Sequence, residues 1–240
     1  MINFPIEAQE LYETRVLKYW DGNKIYTHTS AYTVQKEVGN PLNCTETDLP
    51  ELGENETARW NGESWDVVAD HRGTVVYSTE TQAQVIWAQV GEIPPEYTET
   101  APPEKYPQYY KWSGSAWIAD TGKKQEVLAE LTRRFNAITE SLIVNSTITY
   151  SNDNGAISIT CDAITQQNFT ALYIMRDMQP LPYEVWEKDK SLLLASVEEI
   201  EAICQMIMAN VETIRRQRKA IRDTFNNMTT AEIITALGEL

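Results

Sequence analysis

Arg59-Trp60-Asn61-Gly62-Glu63-Ser64-Trp65 returns 52 residues later as Lys111-Trp112-Ser113-Gly114-Ser115-Ala116-Trp117. The shared pattern is basic, Trp, small polar, Gly, any residue, small, Trp. Each copy ends in an acid a few residues on, Asp70 or Asp120. Glycine supplies the positive-φ residue of a tight turn, and a turn dipeptide between aromatic flanks is a strong hairpin signal. The two Trp of each copy then fall on facing strands as a cross-strand aromatic pair. Tyr19-Trp20-Asp21-Gly22-Asn23-Lys24-Ile25-Tyr26 has the same grammar with Asp-Gly at the turn. Val67-Val68, Thr74–Tyr77 and Ala83–Trp87 read as further short strands. The Pro-rich stretches 93–97 and 101–107 and the polar stretch 39–58 read as connectors.

The composition changes near residue 122. Six of the seven Trp, nine of the twelve Tyr and eight of the ten Pro precede it. Residues 1–122 are expected to form one region, comprising a small N-terminal module (1–38), a connector (39–58) and the repeated Trp units (59–122). Residues 123–240 are expected to form a second domain. There the apolar period becomes helical: Val127, Leu128, Leu131, Phe135, Ile138 and Leu142 predict a helix over about 123–143. Residues 147–161, with Asn-Asp-Asn-Gly at the turn, predict a hairpin. Asp162 is placed to cap a helix over about 163–177, which Pro180 and Pro182 end. Residues 184–186 and 191–194 predict a second hairpin. Ser196 with Glu199 reads as a capping box that opens a long helix over about 197–225. Its stripe is Val197, Ile200, Ile203, Cys204, Ile207, Val211, Ile214, Ile221 and Phe225. Thr229 with Glu232 is a second capping box, for a last helix ending at Gly238. The fold class is α+β, with antiparallel hairpin modules first and helices with two hairpins second.

Charge narrows the partners. The chain carries 20 basic and 35 acidic residues, a net −15. Clustered Lys and Arg supply phosphate affinity, so nucleic acid and anionic membranes are not expected partners. No apolar run reaches the roughly 18–20 residues that cross a bilayer. Met1–Ala8 lacks the basic and apolar regions of an export signal, which points to the cytoplasm. Cys44, Cys161 and Cys204 are too few and too dispersed for a disulfide framework or a zinc site, and read as thiols. The basic run Arg215–Lys219 is either a solvated helix face or a docking patch for an acidic partner.

Catalytic chemistry finds no constellation. His28 and His71 sit in no zinc motif, no Gly-x-Ser-x-Gly elbow supplies a nucleophile, and no glycine loop has phosphate-binding spacing. Of the many carboxylates, no pair stands out for sugar hydrolysis. Neither a cofactor nor a metal is expected, and no catalytic residue is assigned. The aromatics remain. Trp60, Trp65, Trp112 and Trp117 are either the cores of thin β units or half-exposed anchors for a partner or a sugar. Tyr109 and Tyr110, adjacent on a strand, face opposite sides, which leaves them partly exposed.

The ordered set of Trp60-Asn61-Gly62-Glu63-Ser64-Trp65, Asp70-His71-Arg72-Gly73, Val76-Tyr77-Ser78-Thr79-Glu80-Thr81, Gly91-Glu92-Ile93-Pro94-Pro95-Glu96-Tyr97-Thr98 and Trp112–Trp117 resembles the tail fibre assembly proteins of tailed bacteriophages and prophages. The second half, through Ile148, Tyr150, Ile157, Asp162, Trp186, Ser196 and Glu199, resembles an uncharacterised domain attached to such tail proteins. The resemblance implies a chaperone that binds the C-terminal end of a trimeric tail fibre in the host cytoplasm, helps it fold and trimerise, and in some phages stays on the virion. Trp60, Trp65, Arg72, Tyr109, Tyr110, Trp112 and Trp117 are the candidate contact residues. The alternative is a permanent tail-tip or fibre-adaptor subunit whose aromatics touch a host surface glycan.

Overall fold

The computed structural model describes residues 11–240, so Met1–Ala8, read above for an export signal, lies outside the described residues. The architecture is α+β, as expected, with short antiparallel hairpins followed by helices interleaved with two more hairpins. The chain divides into two compact units. One runs to Pro103 and takes in Trp112–Ala116; the other is Glu104–Lys111 with Trp117–Leu240.

In the first unit, β1 (Tyr12–Trp20) lies between β2 (Tyr26–Gln35) and β3 (Cys44–Thr45) in an antiparallel sheet. The β1–β2 turn differs from a two-residue Asp-Gly turn. The Asp21 carboxylate accepts from the backbone N–H groups of Asn23 (2.8 Å) and Ile25 (3.0 Å). The left-handed residue is therefore Lys24 (φ 65), not Gly22. A long aspartate-pinned loop puts its strained position at the end, where the chain re-enters the strand. β4 (Glu56–Trp60) and β5 (Trp65–Ala69) form the next hairpin, with Trp60 directly opposite Trp65. β6 (Val75–Ser78) is then flanked by β7 (Gln84–Ile86) and β8 (Tyr97–Thr98). The second Trp repeat closes as β9 (Tyr110–Trp112) and β10 (Trp117–Ala119), strands that apart from Trp112 belong to the second unit.

The second unit contains α1 (Lys124–Val144), the hairpin β11 (Thr147–Asn152) and β12 (Gly155–Thr160), and α2 (Ala163–Ile174). The hairpin β13 (Tyr183–Glu187) and β14 (Lys190–Leu194) follows, then α3 (Val197–Arg222) and α4 (Thr230–Glu239). Its caps are those the sequence predicts. The Asp162 side chain accepts from Thr165 N at 2.8 Å, and both capping boxes form. Gly238, however, stays inside α4.

Two apolar clusters hold this unit. One gathers the two hairpins, α2 and the first half of α3 around Ile200, Ile203 and Ile207. The other gathers α1, α4, Phe225 and Tyr109 around Val127, Leu131 and Ile233. The buried line of α1 is Val127, Leu131, Phe135, Thr139 and Ile143. Leu142, expected inside, is 47% exposed. A strict four-residue step drifts around the helix and leaves Leu142 off the contact line. Thr139 takes the buried place by bonding its hydroxyl back to the Phe135 carbonyl at 2.8 Å. Ile221 is likewise exposed at the far end of the α3 stripe.

Truncating Ile203 to Ala is expected to cost about 2–5 kcal/mol, the range for a buried isoleucine. Leu142→Ala is expected to stay within about 0.5 kcal/mol. Urea unfolding of the two variants checks the burial order; a larger loss at Leu142 would contradict it.

Candidate functional site

The local chemistry of the Trp repeats explains their shape. In the first, Asn61 Oδ1 accepts from Glu63 N and Ser64 N, both at 2.9 Å, and Gly62 takes φ 116. In the second, Ser113 replaces the asparagine. Its hydroxyl donates to the Ala116 carbonyl at 2.8 Å and accepts from Ala116 N at 3.1 Å, with Gly114 at φ 101. Two different short polar side chains thus close the same turn. Lys111 also reaches Asp120 at 3.0 Å, and that bond holds the Asp120 carboxyl below the usual carboxylate range.

The first repeat sits in an aromatic interlock. Trp60 and Trp65 have ring centroids 5.2 Å apart, edge to face. Trp20 stacks on Trp60 at 5.3 Å and meets Trp65 edge-on at 5.8 Å, and Tyr26 approaches Trp65 at 6.0 Å. Such pairs add about 0.5–1.5 kcal/mol each beyond the area they bury. Trp65 Nε1 donates to the Thr47 carbonyl at 3.1 Å, which ties the 39–58 connector down. Trp65 is 7% exposed and so part of the core, not a free contact. Trp60 is half-buried.

Arg72 stands apart from these rings. Its Nε and Nη2 donate to the two oxygens of Asp70 at 2.7 and 2.6 Å, a bidentate fork. That pairing is the main reason the Asp70 carboxyl lies below its ordinary range. Arg72 lines a polar cavity of about 430 Å³ with Asp21, Asn23, Arg59 and Gln89. His71 is a turn residue: its carbonyl accepts from Thr74 N at 3.0 Å.

Tyr109 corrects a sequence expectation. It is 6% exposed and belongs to the α1–α4 core. Tyr106, at φ 56, starts a 3-10 turn over Pro107–Tyr109 that tucks the ring inward, so strand alternation does not govern it. Tyr110, Trp112 and Trp117 are half-buried.

Sequence reasoning missed two grooves along α3. An apolar one of about 640 Å³ runs between α2 and α3, past Phe169, Tyr173 and Met208. A basic one of about 390 Å³ runs between α1 and α3. The available signal was α2 itself, Ala163–Ile174, which is apolar on more than one face. Among the described residues, no group of His, Cys, Asp and Glu could hold a metal ion, and no helix is long and apolar enough to cross a membrane.

The structure therefore defines an α+β protein of hairpins and aromatic interlocks, with two grooves along α3. Over part of its length it is similar to known phage proteins. It is 31% identical over 101 residues to the tail fiber assembly protein of Escherichia phage lambda, covering 41% of this chain and 50% of that protein. It is 31% identical over 124 residues to the prophage tail fiber assembly protein homolog TfaE of Escherichia coli K12, covering 50% and 60%. An Escherichia coli tail fiber assembly protein homolog is 32% identical over 118 residues, covering 48% and 56%. The chain spans about half the length of the curated relatives it matches. No family model matches it, and no solved structure matches it significantly. The expected resemblance to tail fibre assembly proteins is borne out over that portion.

The Asp70–Arg72 pair makes a pH prediction. A carboxyl with a lowered native pKa contributes stability above its unfolded value, near ~3.9, and loses that contribution as pH falls through the native value. Asp70→Asn is therefore expected to lower the melting temperature by a constant amount above about pH 5. The difference should shrink in more acidic buffer. Melting curves from pH 7 to pH 2 check this; a gap that widens with acid would refute it.

Proposed function

We propose that this protein is a non-enzymatic tail fibre assembly factor. It binds the C-terminal end of a trimeric phage tail fibre and promotes folding and trimerisation of that fibre in the host cytoplasm. The observation that carries this reading is the roughly 30% identity, over 101 to 124 residues, to several proteins named for tail fibre assembly. Physical chemistry supports it. A long β-rich fibre leaves strand edges open and pairs slowly over long sequence distances until the trimer closes, and both are aggregation hazards. Half-buried aromatics on rigid turns suit the transient covering of such a surface. Trp60, Tyr110, Trp112, Trp117 and Arg72 are the proposed contacts; Trp65 and Tyr109 act from behind, holding the turns. The two units serve as separate domains in this reading.

Co-expression with a long tail-fibre gene from the same source, followed by size exclusion with light scattering, tests the proposal. The expected outcome is a co-eluting complex that contains trimeric fibre, and a drop in fibre yield and trimer content when this protein is omitted. A fibre that trimerises equally well alone and never co-elutes refutes the reading. Stoichiometric presence in purified particles would instead mark a permanent tail subunit.

A further inference from the structure

Arg215, Arg218, Lys219 and Arg222 of α3 gather in the groove against α1, where Glu140 is the one lining carboxylate. In a chain of net charge −15 this is a local reversal of sign. Arg215, Arg218 and Arg222 have no ion pair among the described residues. The Arg218 guanidinium lies 3.6 Å from the centre of the Phe135 ring and donates through Nε to Thr139 Oγ1 at 3.2 Å. Its Nη2 is buried with no hydrogen-bond partner among the described residues. Arg215 is exposed and has no ion pair or side-chain hydrogen bond among the described residues. By contrast, Lys219 is held by Asp223 at 2.7 Å. Leaving the buried Arg218 Nη2 donor unpaired is costly, which favours an incoming acceptor. Arg215 also lines the apolar groove that precedes it along the same face of α3, with Phe169, Tyr173 and Met208. The basic and apolar grooves are thus continuous at one side chain.

We infer that the second unit docks a fibre segment that carries both apolar side chains and carboxylates. The segment runs along α3 with its apolar residues over Met208 and Tyr173 and its carboxylates on Arg215 and Arg218. Charge complementarity selects an acidic segment, and the adjoining apolar groove requires that it be amphipathic. The inference rests on the proposed assembly role in taking the fibre as the partner.

The test captures co-expressed fibre on tagged full-length protein carrying Arg215→Glu, Met208→Glu or the control Arg216→Glu, whose side chain lines neither groove. All three positions are exposed, and thermal melts confirm folding before capture. Arg215→Glu and Met208→Glu are each expected to cut captured fibre about tenfold or more, a range typical of interface anchors. Arg216→Glu should capture fibre like the wild type. Fibre tiled as short peptides should bind the wild type through segments that combine Asp or Glu with apolar residues. Folded variants that all capture fibre like the wild type overturn the inference, as does equal loss in the Arg216 control. If the wild type itself captures no fibre, the assembly reading falls and takes this inference with it, a result distinct from the other two.

Discussion

The stacking of Trp20 on Trp60, with Trp65 edge-on to both, is the contact on which the first unit depends. Its later strands are two to five residues long, and a lone two-stranded hairpin is at best marginally stable in water. Few aliphatic side chains on such short strands are buried, Ala58 and Val76 among them, and they enclose little area alone. Indole rings enclose more, because each buries a large area from a single backbone position. The backbone reinforces the interlock: Trp60 N donates to the Lys24 carbonyl at 2.9 Å, and Ile25 bridges to Arg59. The turn of one hairpin thus becomes the pairing partner of the next.

The second unit solves the same problem by conventional means, with helices laid over hairpins. Its pivot is Glu199. This carboxylate completes the capping box of α3, bonds the backbone N–H of Ala195, and accepts from the Asn152 amide at 2.7 Å and the Tyr150 hydroxyl at 3.4 Å. A residue legible from sequence as a local cap therefore also registers the β11–β12 hairpin against the helix start. The Asn152 bond is the main reason its carboxyl sits below the usual range.

Features set by neighbours in sequence were legible. The hairpins, the three caps and the change from β to helical period all rest on interactions within a few residues, and these are the interactions that residue type and spacing encode. The misreadings share another cause. Tyr109 turned inward because a left-handed Tyr106 broke the strand alternation, and its core partners, Val127 and Leu131, lie about twenty residues away. Leu142 lost its buried place to Thr139, whose back-bonded hydroxyl removes the usual penalty for a polar group inside. Of the candidate site, the turns of the Trp repeats follow from sequence; the Asp70–Arg72 fork is not read there, although its two partners are only two residues apart. The grooves along α3 do not follow from sequence, because a groove is made by the spacing of two helices, and periodicity within one helix carries no information on it.

The distribution of tryptophan gives the molecule two built-in optical reporters. Trp20, Trp60 and Trp65, with ring centroids 5.2 to 5.8 Å apart, are close enough for their indole transitions to couple as excitons, so the folded cluster is expected to carry a circular-dichroism couplet that vanishes when the rings part. Trp186 on β13 is 64% exposed. A side chain this exposed is expected to emit as a water-bathed indole in the folded state and to change little on melting. The chiroptical signal thus follows the first unit, and quenching by a small solute follows a site on the second, with no label added to either.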